Sequence, residues 1–175
     1  HALVRRQRQM CIRDRSNLYS VDINNLEINE LTTREGTESS PKVSPDGTKV
    51  AFTGSTWSKN FYNDRKMYVM NIDGSDLECV TSSLDQTPSS AFWASNSSGV
   101  YFNVREYGQS NVYYADLRGK LKKITDGNHM LSMNDLVGNN TVATWTDPSN
   151  PSDIVTFSID KSKSIKRLTN VNEDI

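Results

Sequence analysis

The sequence has few residues that could build a covalent or metal-bound framework. Its 175 residues include two cysteines and two histidines, and only Cys79 and His129 lie outside the first fifteen positions. A single cysteine cannot form an intramolecular disulfide, and one histidine beside it gives too few ligands for a metal cluster. We therefore expect no disulfide framework, no metal site and no cofactor.

Long apolar runs and an excess of basic charge are also missing. No run approaches the roughly 20 residues that a membrane-spanning helix needs, so we expect no membrane span. Residues 1–15 hold five arginines and one aspartate, so the net charge of −1 for the chain becomes −5 for the remainder. A mildly acidic body without a basic patch argues against nucleic acid as a partner.

The first fifteen residues differ from the rest of the chain. Residues 5–15, RRQRQMCIRDR, have no strand pattern. They resemble the conceptual translation of a transposon-end sequencing adapter, a contaminant carried into gene predictions from environmental DNA. The alternative, a basic tail that binds nucleic acid, would also fit a charge cluster. We expect residues 1–15 to be artefactual or disordered and exclude them from the fold.

A dipeptide of one apolar residue and one threonine recurs along the chain. Its threonines are spaced 49, 44 and 44 residues apart. The copies are Leu31-Thr32, Val80-Thr81, Ile124-Thr125 and Leu168-Thr169. A period of roughly 40–50 residues made of short strands is typical of β-propeller blades.

The unit is clearest between Leu31 and Thr81. Alternating and β-rich segments predict four strands, at 40–43, 48–53, 66–71 and 77–81. Tight turns separate them at 44–47 and 72–76, where Asp46-Gly47 and Asp73-Gly74 are interpreted as type I′ pairs. Four antiparallel strands joined in this way make one blade.

Two further copies and a partial one follow the same order. The second copy predicts strands at 90–93, 100–104, 111–116 and 121–125; the third predicts them at 131–135, 141–145, 154–160 and 165–169. Residues 17–22 and 30–32 match only the last two strands of a blade. The fold class is therefore all-β, a partial β-propeller of about three and a half blades over residues 16–175. Since closed propellers have typically four to eight blades, we expect a piece of a larger ring.

One segment resembles a known repeat. Ser44–Phe52, SPDGTKVAF, resembles the S-P-D-G element of WD40-like, TolB-type propeller repeats. Such repeats form the N-terminal propeller of the prolyl oligopeptidase family of serine peptidases, which includes acylaminoacyl peptidases and dipeptidyl peptidases. They also form the periplasmic TolB propeller. The second and third copies have lost this turn and carry ASNS at 94–97 and VGNN at 137–140.

Three features favour the peptidase resemblance. Residues 55–64 form an aromatic insertion between the second and third strands, where these peptidases often carry one. Residues 145–154 resemble a stretch of a late blade in these enzymes, and residues 168–175 resemble the run before their linker to the catalytic domain. The 49-residue first spacing also departs from the nearly constant units of TolB chains.

The chain carries no recognisable catalytic motif. An α/β-hydrolase needs G-x-S-x-G at a strand-to-helix turn, and the nearest segment, Gly108–Val112, lacks the second glycine. His129 is the sole histidine of the body, and one in a loop is more often a surface residue than a catalytic base. No triad can be assembled, so no catalytic, cofactor-binding or metal-binding residue is assigned.

Two other features invite a functional interpretation. The oxygen-rich residues 71–78 suggest calcium, yet their spacing does not match an EF-hand loop and a hairpin explains them better. Aromatic residues in connecting segments are candidates for binding, although packing under a loop is the more common role. They are Trp57, Phe61, Tyr62 and Tyr107.

The resemblance implies that the propeller and a separate catalytic domain have different roles. The propeller would gate access for short peptides, and an α/β-hydrolase domain absent from this chain would cleave them through a serine, a histidine and an aspartate. The alternative is a TolB-like protein-binding propeller without enzymatic activity. An oligogalacturonate lyase would need histidine metal ligands, and one histidine is too few. We expect exposed blade edges to favour self-association, and a location in either the bacterial periplasm or the cytoplasm.

Overall fold

A computed structural model describes residues 16–57, 64–89 and 91–171. The described residues form fourteen strands and one short 3₁₀ helix, arranged as one half-blade followed by three full blades. The half-blade pairs β1 (Tyr19–Val21) with β2 (Ile28–Glu30) in antiparallel register. The all-β partial propeller expected from the repeat is confirmed. Residues 1–15, expected to be artefactual or disordered, lie outside the described part.

Each full blade is a four-stranded antiparallel meander. Blade 1 contains β3 (Gly36–Val43), β4 (Lys49–Thr56), β5 (Lys66–Asn71) and β6 (Glu78–Cys79). Blade 2 contains β7 (Phe92–Trp93), β8 (Gly99–Glu106), β9 (Gln109–Asp116) and β10 (Leu121–Lys123). Blade 3 contains β11 (Met130–Val137), β12 (Asn140–Asp147), β13 (Asn150–Ser158) and β14 (Lys166–Arg167), with the 3₁₀ helix at Ile159–Lys161.

The recurring threonine makes the same hydrogen bond in the half-blade and in each full blade. In each copy its hydroxyl oxygen accepts a hydrogen bond from a backbone N–H at the third strand of the same blade. The pairs are Leu18 N to Thr32 Oγ1 (2.9 Å), Met67 N to Thr81 Oγ1 (2.8 Å), Val112 N to Thr125 Oγ1 (2.9 Å) and Ile154 N to Thr169 Oγ1 (2.9 Å). We call this contact the threonine clasp. It explains the repeat, since an apolar residue at that position would leave the strand N–H without a partner.

Apolar side chains pack between neighbouring blades. Phe52 and Met70 of blade 1 lie buried against Leu18 of the half-blade. Val69 and Met67 on the other side of blade 1 join Phe102 and Val104 of blade 2. A third cluster joins blade 2 to blade 3 and includes Val112, Leu131, Val155 and Phe157. Because each core lies between two sheets, each blade depends on its neighbours for burial.

The outer faces of the half-blade and of blade 3 carry exposed apolar side chains. Tyr19, Val21 and Ile28 are exposed on the half-blade, and Val142, Ile154 and Leu168 are exposed on blade 3. In blade 3 these side chains alternate with buried ones such as Ala143 and Val155. Exposed apolar side chains of this kind are available to pack against a further apolar surface.

The tight turns differ from the type I′ pairs expected from Asp-Gly. Only the glycine of each pair has positive φ, with Gly47 at 73° and Gly74 at 89°. A type I′ turn requires positive φ at both central residues. Instead Gly47 N bonds Ser44 O and Gly74 N bonds Asn71 O, at 2.9 Å each, as in a type I turn followed by a left-handed glycine. Pro45 fixes this geometry in the first case, because its φ suits the second position of a type I turn.

The same turn occurs where the sequence motif has decayed. Ser97 N bonds Ala94 O at 2.8 Å and Ser97 has φ of 57°. Asp46 N then bonds Ser97 Oγ at 3.2 Å, so the first turns of blades 1 and 2 lie side by side. The true two-residue hairpin with both φ values positive is Tyr107-Gly108, between β8 and β9. Blade 2 therefore keeps the backbone geometry of this turn without the S-P-D-G sequence, whereas the corresponding link of blade 3 is a two-residue hairpin between Val137 and Asn140.

One predicted loop is a strand. The sequence placed the third strand of blade 3 at 154–160, whereas β13 begins at Asn150 and ends at Ser158. Pro151 is accommodated because the register between β12 and β13 shifts there, between Trp145 and Asp147, and proline is tolerated at bulges and strand starts. Within the described ranges, no helix has the length and apolarity that a bilayer crossing requires.

Candidate functional site

The blades have two distinct ends. One carries the first turns, such as 44–47 and 94–97, and the other carries the links between the second and third strands and between successive blades. We call the latter the crossing face. Blade 2 meets blade 3 there through a parallel bridge between Ser110 and Met130, at the start of β9 and of β11. Ser110 N also donates to His129 O at 2.8 Å.

A groove of about 590 Å³ opens between the inner strands of blades 2 and 3. Its lining comes from the segment before β7, the end of β8 and the middle of β11. The lining residues are Thr87, Pro88, Ser89, Phe92, Asn103, Arg105, Ser132, Met133 and Asn134. This volume is within the usual range for small-ligand pockets. We call this the inter-blade groove.

Arg105 is the one charged side chain in the groove lining. It follows the apolar run of β8 and is exposed, and no described residue makes a hydrogen bond or ion pair with its guanidinium. The neighbouring carboxylate, Glu106, is engaged elsewhere: Tyr113 Oη donates to it at 2.7 Å and Lys123 Nζ lies 3.4 Å away. The Tyr113 hydrogen bond lowers the pKa of Glu106. The described lining of the groove therefore carries a single positive charge, that of Arg105.

Asn103 holds the two walls of the groove together. Its Nδ2 donates to Leu131 O at 2.7 Å and its Oδ1 accepts from Met133 N at 2.8 Å. Ser110 Oγ also donates to Leu131 O at 2.7 Å. These buried bonds fix β11 against β8 and β9, so the wall that carries Ser132, Met133 and Asn134 is rigid.

Asn134 presents a free donor to the groove. Its Oδ1 accepts from both Thr144 N and Thr144 Oγ1, at 3.0 Å each. This arrangement leaves Nδ2, which has no acceptor among the described residues, available to a ligand. Phe92 and Met133 add an apolar floor beside these polar groups.

The structure places His129 in the link between blades 2 and 3. Its ring lies 6.3 Å from the Trp145 ring, and its buried Nε2 has no hydrogen-bond partner in the described part of the chain. Burial lowers the pKa of His129, which favours the neutral imidazole. No hydroxyl of a described residue bonds the imidazole, so within the described ranges His129 has no nucleophile to activate.

The near-motif at Gly108–Val112 lies on a hairpin. Gly108 is in the two-residue turn and Ser110 is in β9, fully buried with its hydroxyl bonded to Leu131 O. A nucleophilic serine needs an exposed hydroxyl on a strained strand-to-helix turn. Ser110 has neither and serves the junction between blades.

The oxygen-rich segment 71–78 satisfies its polar groups internally. Asp73 Oδ1 accepts from Ser75 N at 2.9 Å and from Ser75 Oγ at 2.6 Å, and Asn71 Nδ2 donates to Asp76 Oδ2 at 2.8 Å. The Ser75 hydroxyl bond lowers the pKa of Asp73. Among the described residues, no group of three or more His, Cys, Asp or Glu side chains is arranged to hold a metal ion.

Two of the loop aromatic residues can be placed. Trp57 follows β4 and Tyr107 lies at the tip of the β8–β9 hairpin, where it is 95% exposed. Both therefore belong to the crossing face, as does the Arg105 end of β8. Phe61 and Tyr62 lie outside the described residues. The sequence did not single out Arg105, and the weak signal it offered was a cation directly after the buried positions of β8.

Comparison of sequences finds distant relatives among peptidases. The chain is 26% identical over 95 residues to dipeptidyl-peptidase 5 of Porphyromonas gingivalis, a match that covers 54% of this chain and 14% of that protein. Dipeptidyl-peptidase 5 of Trichophyton schoenleinii is 28% identical over 81 residues, which are 45% of this chain and 11% of that protein. The matched segments are thus a small part of these relatives. No family model matches the chain.

Solved structures agree on the fold. TolB from Acinetobacter baumannii superposes with a TM-score of 0.67 at 17% identity, over 87% of this chain and 37% of that one. The β-propeller domain of the trilobed protease from Pyrococcus furiosus gives 0.66 at 22% identity, over 91% and 45%. TolB-type, prolyl endopeptidase and acylaminoacyl peptidase structures are all similar to this chain. At these identities the likeness establishes the propeller fold.

Proposed function

We propose that the chain is the propeller portion of a serine peptidase of the prolyl oligopeptidase family and that it gates access of short peptides to a catalytic domain. The observation that carries this proposal is the sequence match to dipeptidyl-peptidase 5, at 26–28% identity, within a chain whose fold is a propeller. The insertion after β4 and the run that begins at Leu168 point the same way.

Gating follows from the shape of such a domain. A ring of rigid blades over a catalytic centre would admit a short, extended peptide and exclude a folded protein. The groove walls are held by buried bonds of Asn103 and Ser110, so the opening would be fixed rather than adaptable. Cleavage would proceed by acyl transfer, with serine as nucleophile, histidine as base and aspartate orienting it, all in the partner domain.

A TolB-like binding propeller is the second candidate. The superposition on TolB, with a TM-score of 0.67, is as good as those on peptidase structures. In that case the crossing face and the inter-blade groove would bind a protein partner, and no chemistry would occur. The curated relatives favour the peptidase.

The two candidates are separated by the gene beyond Ile175. We expect the source DNA to encode a further domain of roughly 250 residues with G-x-S-x-G between a strand and a helix. The full-length protein should then react with a fluorophosphonate probe and hydrolyse short chromogenic peptides. Replacement of the motif serine by alanine should abolish both, and the 175-residue chain alone should be inert.

Gating is tested separately, by comparing cleavage of an unstructured and a folded substrate. The full-length enzyme should cleave an unstructured peptide and leave the same sequence intact inside a folded, disulfide-closed protein. A reading frame that closes after one or two more blades, with no G-x-S-x-G, would overturn the peptidase proposal. Equal cleavage of the free and the folded substrate would overturn gating alone.

A further inference from the structure

We propose that the inter-blade groove is a binding site for a peptide carboxylate, with Arg105 as the primary ligand and Asn134 as the second donor. This inference rests on the proposed function insofar as the bound peptide is a substrate. The site itself is a property of blades 2 and 3 and does not depend on a catalytic domain.

The unmatched charge of Arg105 is the first argument. Lys123 of blade 2 lies 2.7 Å from Asp126 and Arg167 of blade 3 lies 3.4 Å from Asp153, whereas no described carboxylate pairs with Arg105. Arg105 faces a groove whose described lining contains no carboxylate. A guanidinium carries five donors in a planar fork that matches the two oxygens of a carboxylate. The groove thus offers an anion site that the described part of the protein leaves unfilled.

The fixed donor at Asn134 is the second argument. Because both hydrogen bonds from Thr144 occupy its Oδ1, the side-chain amide is held with Nδ2 as its free group. The nearby amide of Asn103 is engaged within the fold, since its Nδ2 donates to Leu131 O and its Oδ1 accepts from Met133 N. Arg105 and Asn134 therefore bring one charged and one neutral unpartnered donor to the same groove, which favours an anionic acceptor.

The apolar floor identifies the anion as part of a peptide rather than a free ion. Phe92, Met133 and Pro88 line the groove beside the donors, and an inorganic anion would make no use of them. A volume of about 590 Å³ is ample for a carboxylate together with neighbouring side chains. The carboxylate is either an Asp or Glu side chain or the C-terminus of the peptide, and the two sources are separable by experiment.

Fluorescence anisotropy on the 175-residue chain tests the site directly. The probes are four N-terminally labelled tetrapeptides: Ala-Glu-Ala-Ala and Ala-Gln-Ala-Ala, each with a free or an amidated C-terminus. We expect the doubly neutral peptide to bind at least tenfold more weakly than the best carboxylate peptide. A preference that follows glutamate identifies a side-chain carboxylate, and one that follows the free terminus identifies the C-terminal carboxylate.

Three variants test which side chains cause the preference for carboxylate peptides. Arg105→Gln should weaken the best carboxylate peptide at least tenfold and leave the neutral peptide unchanged. Asn134→Asp keeps the Oδ1 acceptor for Thr144 but replaces the free donor by a negative charge, so it should also remove the preference. Arg118→Gln is the control, since it deletes the same charge from an exposed turn between β9 and β10 and should change affinity less than twofold. Arg105 is exposed, so its replacement removes no described hydrogen bond or ion pair of the fold.

The outcomes distinguish this proposal from the peptidase proposal. Equal binding of charged and neutral peptides, or equal effects of Arg105→Gln and Arg118→Gln, overturns the carboxylate site whatever the gene encodes. An Arg105-dependent preference in a chain whose gene lacks a catalytic domain supports the site and overturns the peptidase. In the full-length enzyme, the same variant should raise KM for the carboxylate peptide and leave kcat unchanged.

Discussion

The threonine clasp gives a quantitative prediction at Thr125. This side chain is buried, accepts from Val112 N at 2.9 Å and donates to Asn111 Oδ1 at 3.1 Å. Thr125→Val keeps the shape and removes the hydroxyl. A buried N–H left without a partner costs about 1–3 kcal/mol, and the second lost bond adds about 0.5–1.5 kcal/mol. We therefore expect the free energy of unfolding to fall by about 2–4 kcal/mol.

Urea unfolding followed by circular dichroism measures that change. For a chain of this size each kcal/mol lowers the melting temperature by about 2–4 °C, so a shift of roughly 5–15 °C should accompany it. Thr33→Val is the matched control, because Thr33 is exposed and adjacent to a clasp threonine, and it should change stability by less than about 0.5 kcal/mol. Thr125→Ser retains the hydroxyl and should be more stable than Thr125→Val. A Thr125→Val protein as stable as the wild type would refute the clasp as a source of stability.

Two further predictions concern the turns and blade edges. Hydrogen bonds from the Ser44 hydroxyl and Thr48 N lower the pKa of Asp46 to about 2, so its contribution is present above the unfolded-state pKa near 4 and is lost as the pH falls towards 2. NMR of the side-chain carboxyl carbon should show this low pKa. Asp46→Asn should make the free energy of unfolding less dependent on pH below 4. An Asp46 pKa of 3.8 or more would be inconsistent with the hydrogen bonds of the turn. Gly36→Ala should destabilise blade 1 strongly, because a Cβ there would lie 1.8 Å from Ser55 O at a φ of 152°. Gly108→Ala is the control, since its Cβ would meet nothing within 4 Å and its φ of 75° lies in the left-handed region, which costs an alanine less than the φ of Gly36. It should be the more stable variant, and equal melting temperatures of the two variants would contradict this argument.

The local parts of the fold could be predicted because they depend on neighbouring residues. The strands of blade 1 follow from alternation, and the turn at Ser44 follows from proline and glycine at fixed positions. The predicted turn type was wrong because Asp-Gly is compatible both with the two central positions of a type I′ turn and with the last two positions of a type I turn. Pro45 decides between them. The early start of β13 was missed because residues 150–153 lack an alternating apolar pattern, and a register shift accommodates Pro151 within the strand.

The sequence by itself determined the repeat, the strand order and the absence of a nucleophile elbow, since each of these is written in short segments. It also determined that a threonine recurs, although the hydrogen bond that the threonine makes became visible only in the structure. Tertiary structure alone decided the inter-blade groove. Arg105 and Asn134 are 29 positions apart on different blades, and no periodicity links them. They share a groove because β11 packs against β8 and β9 through the buried amide of Asn103, a contact that depends on how whole blades stack.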